Sequence, residues 1–331
     1  MPESASWSTP VLQSVLPVVA ASRHVRTNSD EVERVAEWLA YEPFGWPEAA
    51  MPVEVGGDPD RLTDFVLLVN SLNFAFSDFA TGVKFEAARG GRSWSDSEGM
   101  VACLLNALDA GTPVLDGDWM ARVTVADLER LFAGTIRMPM LEERAEILNA
   151  IGGVLGDRYE GRWSRWLRSC APAMYAGGDG LLERLPQEFP RFRDVSLHAG
   201  REVRFLKLGQ LALWQLHTAH QALGDFAVAD LSDMSAFADY IVPVALRLMR
   251  VLEYTDELER WIATGREIPR DSDVEIEIRA HTLYATALLT EAVNRRRPPD
   301  ARLVIPQLDY RLWKTYHATS WPHHRTRTIM Y

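Results

Sequence analysis

The stretch Asp230-Leu231-Ser232-Asp233, followed by Ser235-Ala236-Phe237-Ala238-Asp239-Tyr240, sets carboxylates among apolar and aromatic residues. An ionised carboxylate beside such rings can oppose a developing cation, because charge stabilisation strengthens where water is excluded. The same pattern also fits a plain helix start. In that reading Asp233 or Ser235 caps the free N–H groups, and Asp239 lies in the first turn, where the helix dipole favours a negative charge.

Three further clusters combine polar groups with rings. In Leu308-Asp309-Tyr310-Arg311-Leu312-Trp313, the Asp either bonds a local backbone turn or reads a ligand's N–H donors while the rings stack on it. In Asn70-Ser71-Leu72-Asn73-Phe74-Ala75-Phe76-Ser77, two amides and two hydroxyls end an apolar helix; capping with two core phenylalanines is favoured over ligand contact. The run Trp321-Pro322-His323-His324-Arg325-Thr326-Arg327-Thr328-Ile329-Met330-Tyr331 suits a phosphate or a solvated tail, and its apolar end favours docking.

Other chemistries find less support. His217 and His220 share a helix face, with His198 upstream, but no Glu-x-x-His or His-Glu-x-x-His accompanies them, so no metal site is expected. Gly-x-Gly-x-x-Gly and P-loop motifs are absent, and so is a Gly-x-Ser-x-Gly elbow.

Helical periodicity supplies the elements that must position these groups. Asn28-Ser29-Asp30 opens a helix carrying Val32, Val35, Ala36 and Leu39; Pro59 opens another through Leu62, Phe65, Val66, Val69 and Phe76. Further helices are expected over 97–110 (ending at Gly111), after a capping box at Thr124 and Asp127, over 141–155 despite Gly152-Gly153, and around Trp163, Trp166 and Leu167. Residues 206–223 and 237–252 read as long helices, and Thr255 starts one that Gly265 ends. Val274, Ile276 and Ile278 alternate like a strand, yet the Ser272–Glu275 capping box and the helix formers up to Leu289 favour a helix. A hairpin is expected over 82–94, turning at Gly90-Gly91, and a second extended piece over 194–205, turning at Gly200. Residues 295–300 read as a loop, and the last thirty residues show little periodicity. The fold class is therefore mainly α: a single globular helical domain, 1–331, with a small β-hairpin.

Composition narrows the classes. The chain has 331 residues, 35 Lys+Arg against 46 Asp+Glu, and a net charge of −11, which speaks against a large nucleic-acid footprint. An apolar share of 47% with 11 Trp and 12 Phe excludes disorder. No apolar run is long enough for a membrane span, and 11–21, behind Glu3, makes a poor signal peptide. Two cysteines, Cys103 and Cys170, fit structural thiols in a reducing cytoplasm.

Several short motifs occur together in a fixed order. They are Asn73-Phe74, the helix through Asn106-Ala107-Leu108, Met138-Pro139-Met140-Leu141-Glu142-Glu143-Arg144 and Phe189-Pro190-Arg191-Phe192-Arg193-Asp194. Phe237-Ala238-Asp239-Tyr240, Glu275-Ile276-Glu277-Ile278-Arg279, Asp309-Tyr310 with Trp313, and His324-Arg325 follow. With these motifs the chain, from about Val11 to Tyr331, resembles the queuosine salvage proteins, the queuosine 5′-phosphate N-glycosylase/hydrolase family.

The resemblance implies a helical fold whose core is similar to helix-hairpin-helix DNA glycosylases. It implies hydrolysis of queuosine 5′-monophosphate to queuine and ribose 5-phosphate, without metal or cofactor. Beside it stand the expectations of a cytoplasmic location, from the cysteine usage, of no stable nucleic-acid partner, from the net charge, and of a monomer. By the same resemblance the catalytic Asp falls on Asp239, and the base-contacting positions fall on Phe237, Asp309 and Tyr310, with Asn73 and Phe74 beside them. Lys207 occupies a matching position; with His324, Arg325, Arg327 and Tyr331 it is the candidate for the 5′-phosphate, on grounds of charge. Two positions depart from the family. A His found upstream of Asn-Phe in some members is missing from 46–53, where Met51 lies nearby, and Lys314 stands where an acidic residue often follows the Trp. A non-catalytic queuine or tRNA-associated binder, and a DNA or RNA base glycosylase, are the alternative classes.

Overall fold

The computed structural model describes residues 5–47, 55, 57–221, 223–317, 319 and 321–331. Among them are fourteen α-helices and six short strands, the strands paired in three two-stranded antiparallel ladders. None of these helices is long and apolar enough to cross a membrane. The region around Met51 lies outside the described residues.

The helix Asp273–Asn294 organises the core, because it is buried along most of its length. Ile276, Ala280, Leu283 and Ala287 join one apolar cluster with the helices Pro10–Ala21, Pro59–Ser71, Asp96–Asp109, Leu141–Arg158 and Lys207–Gln221. Ile278, Ala285, Leu289 and Val293 join a second cluster with Ser29–Leu39, Val242–Leu248, Asp256–Ala263 and Ile305–Tyr316. Three buried threonines of this helix are satisfied within it: the hydroxyls of Thr282, Thr286 and Thr290 donate to the carbonyls four residues back, at 2.7, 2.8 and 2.8 Å. The alternating Val274, Ile276 and Ile278 therefore lie on a helix, as its N-cap Ser272 indicates.

Local chemistry explains most boundaries. Asn28, Asp58, Thr124 and Thr255 cap the helices that follow them. The helix Leu141–Arg158 runs through Gly152-Gly153; a Cβ at Gly152 would strike the backbone of Ala121 and Gly117, so glycine permits this helix crossing. The two expected extended pieces are the hairpins Glu86–Arg89 with Arg92–Ser95 and Val195–His198 with Arg201–Arg204. The third ladder, Val25–Thr27 with Leu252–Tyr254, joins segments distant in sequence.

Three sequence readings need correction. The expected helix over 237–252 is a helix over Val242–Leu248 only: Phe237 to Tyr240 are not helical, and Leu252 to Tyr254 form a strand. Neither Asp233 nor Ser235 caps it; Asp233 ends the 3-10 turn Leu231–Asp233, and the buried Ser235 exchanges hydrogen bonds with Gln210. The last thirty residues are less irregular than expected, because Ile305–Tyr316 is a helix that carries Asp309 and Tyr310. Its stripe was obscured by rings and charges that face a cavity rather than solvent.

Candidate active site

The segment between Ser235 and Val242 crosses from one apolar cluster to the other. Phe237 and Ala238 belong to the first, Val242 and Ala245 to the second. Pro243, with no N–H, sits in the first turn of the Val242–Leu248 helix, where proline is tolerated. The N–H groups of Ile241 and Val242 at this helix start have no intrahelical acceptor, and Asp239 Oδ1 takes both, at 2.8 and 3.0 Å. Asp239 is 8% exposed.

Asp309 approaches the same segment from the helix Ile305–Tyr316. Its Oδ2 accepts the Phe237 N–H at 2.8 Å, and the residue is 3% exposed. On the same helix and at its C-cap, the rings of Tyr310, Trp313 and His317 follow one another at spacings of three and four residues. Tyr310 and Trp313 lie 6.4 Å apart at 18°, and Trp313 and His317 lie 4.6 Å apart at 9°. Lys314 reaches back over Tyr310, 5.7 Å from its centroid.

Lys207 opens the helix Lys207–Gln221 and enters from a third side. Among the described residues its ammonium has no ion-pair or hydrogen-bond partner, although the side chain is buried. Burial pushes its pKa down, while Asp239 and Asp309 oppose the shift. Burial pushes the Asp239 carboxyl above the ordinary range, against the pull of Lys207 and the two N–H groups. Asp309 is pushed well above its ordinary value, first by burial and then by the neighbouring Asp239.

These groups border one cavity of about 320 Å³, a size that suits a small organic ligand. Asn73 to Ser77 form another wall. Its backbone is held by the buried Arg144, whose guanidinium donates to the carbonyls of Leu72, Phe74 and Ala75. Arg144 and Arg191 both lie over the Phe74 ring, at 4.2 and 4.7 Å. Trp214, Tyr240 and Trp321 add rings, and His323 packs on Tyr240 at 4.5 Å. At the rim Lys84 pairs with Asp96 at 2.6 Å.

The sequence profile of the queuosine salvage protein family matches residues 54–331. The chain belongs to this family. A "Queuosine 5′-phosphate N-glycosylase/hydrolase" of Sphaerobacter thermophilus is 32% identical over 326 residues, covering 97% of each chain. Proteins of the same name are 27% identical in Mus musculus, over 95% of this chain and 96% of that one, and 28% identical in Schizosaccharomyces pombe, over 76% and 73%.

The structure brings Asp239, Phe237, Asp309, Tyr310, Asn73, Phe74, Lys207 and Tyr331 to the one cavity. It does not bring the other three basic residues there. His324 lies behind the wall, 3.4 Å from the Tyr331 hydroxyl, and burial pushes its pKa down to about 3, leaving it uncharged. Arg325 packs beside Gly265, and its carbonyl accepts the Ile268 N–H; the exposed Arg327 faces Glu143 and Phe79. His217 and His220 are engaged elsewhere, with the Val228 N–H and with Thr63 and Asp225. Sequence reading missed Lys84, Trp214 and His323 as cavity residues. Of these, His323 was adjacent to a residue chosen for its charge, and burial decides between the two.

Proposed function

We propose that this chain hydrolyses the N-glycosidic bond of queuosine 5′-monophosphate, releasing queuine and ribose 5-phosphate. One observation carries the reading beyond the names of its relatives: two carboxyls, Asp239 and Asp309, share a cavity with the buried Lys207, whose ammonium has no ion-pair or hydrogen-bond partner among the described residues. One ammonium balances one negative charge. Asp239 receives two N–H donors and Asp309 one, so the charge rests on Asp239 and the proton on Asp309.

This division suits the reaction. As the bond between C1′ and the base nitrogen breaks, its electron pair leaves with the base and positive charge builds on the sugar. The Asp239 carboxylate opposes that charge in a site from which water is largely excluded. A water oxygen bonds to C1′ and keeps one proton as the anomeric hydroxyl; its other proton balances the one that the departing base takes up. Queuine is a 7-deazaguanine and lacks the N7 lone pair that purine glycosylases can protonate, so help for the leaving group comes through another edge. A neutral Asp309 can donate there, while Phe237, Tyr310 and Trp313 flank the ring. Lys207 and Tyr331 are the phosphate candidates that border the cavity, and Lys84 and His323 are further donors at the same cavity.

The test is incubation of purified protein with queuosine 5′-monophosphate or with the dephosphorylated nucleoside, followed by mass detection of free queuine. Queuine from the monophosphate, with the nucleoside a much poorer substrate, is the expected result. No queuine from either rejects the hydrolase reading in favour of a carrier, and equal efficiency rejects phosphate recognition.

A further inference from the structure

Asp194 and Arg279 form a fully buried ion pair, 2% and 1% exposed, at distances of 2.9 and 2.5 Å. An isolated pair of this kind contributes little net stability, because desolvation offsets the attraction. This pair is not isolated. Its remaining donors and acceptors go to the backbone of the cavity.

Arg279 Nε donates to the carbonyl of Ala238, the residue before Asp239, at 3.2 Å. Asp194 Oδ2 also accepts the backbone N–H of Lys207 at 3.1 Å. The Asp194 carbonyl accepts the N–H groups of Phe205 and Leu206, at 3.0 and 3.1 Å, where Leu206 adopts a positive φ of 49° to turn the chain from hairpin to helix. The Arg279 guanidinium lies 3.9 Å from the Phe205 ring and 4.7 Å from the Tyr331 ring. Glu275, one helical turn before Arg279, accepts the Tyr331 hydroxyl at 3.0 Å. One planar fork and one carboxylate thus tie down three separate segments. Each segment delivers a cavity residue: Asp239, Lys207 and Tyr331.

We infer that the Asp194–Arg279 pair is the positioning element of this site, fixing Asp239, Lys207 and Tyr331 relative to one another without touching the substrate. The inference rests on the hydrolytic reading for its kinetic consequence, but its geometric consequence is independent of any substrate. A lysine at position 279 keeps the charge and loses the planar fork, which reaches Asp194 and Ala238 together. Paired apolar replacements of similar volume remove the ion pair without stranding a charge.

The experiment compares wild type, Arg279→Lys, and the double variant Asp194→Leu with Arg279→Met. Kinetics with queuosine 5′-monophosphate, melting temperature and a crystal structure of Arg279→Lys are measured together. Expected are a kcat at least about tenfold lower for Arg279→Lys with KM within about threefold, and a double variant that folds yet loses about 10²-fold in kcat. In the crystal structure the Asp239 carboxyl should leave one of its two N–H donors. An Arg279→Lys protein that turns over within twofold of wild type, or whose Asp239 has not moved, overturns the inference. A wild type that releases no queuine overturns the hydrolytic reading instead, and the Asp239 position then decides the inference by itself.

Discussion

The Asp309 carboxyl accepts the backbone N–H of Phe237 at 2.8 Å, linking residues 72 positions apart in sequence. This bond fastens the C-terminal helix to the segment that carries Asp239. It makes Asp309 both an anchor and, as the proposed holder of a proton, a donor toward the cavity. The two roles separate by substitution. Asp309→Asn keeps an acceptor for Phe237 and a donor for the base, so activity should stay within about tenfold of wild type. Asp309→Ala loses both and should fall by about 10²-fold. Steady-state kinetics of the two variants check this; equal losses would contradict the neutral-donor role.

A second prediction concerns the Asn73–Ser77 wall. Arg144 is completely buried and serves three carbonyls of the preceding loop. Arg144→Ala removes the guanidinium donors from these carbonyls, leaving Leu72 only the Phe74 N–H, and takes one of the two cations off the Phe74 ring. Stability should drop by about 3 kcal/mol. Urea unfolding with an unchanged m-value measures the loss, and a loss below about 1 kcal/mol would show that the loop holds itself.

The motif around Arg144 was visible in the sequence, but its purpose was not. Capping residues, proline positions and the 3.6-residue period revealed most helices, because those signals are local. The helix Ile305–Tyr316 escaped because Tyr310, Trp313 and His317 turn a second ringed stripe toward the cavity, which blurs the contrast between faces. The segment before Val242 reads as helix from sequence because nothing local shows that Asp239 caps the helix from outside. Among the basic residues, charge alone gave no way to see that Arg325 and Arg327 point away, or that burial strips His324 of its proton.

The burial of His324 has a measurable consequence. In the unfolded chain a histidine titrates near about 6.5, whereas in the fold His324 is pushed down to about 3. Below about pH 6.5 the unfolded state takes up a proton that the folded state refuses, so stability is lost as the pH falls and is fully present above this window. The slope is about 1.4 kcal/mol per pH unit. Relative to His324→Gln, wild type should therefore lose roughly 2 kcal/mol between pH 7.5 and pH 5, while the buried carboxyls, common to both proteins, cancel. A pH-independent difference would mean that His324 is not held neutral.

The central claim is that a charged, nearly dry Asp239 carboxylate faces the anomeric carbon. Single-turnover release of queuine from queuosine 5′-monophosphate by Asp239→Asn addresses it most directly. The amide oxygen can still accept from Ile241 and Val242, so the fold should persist while the charge is gone. The account predicts a rate at least about 10²-fold below wild type; a folded Asp239→Asn protein with near wild-type turnover would contradict it.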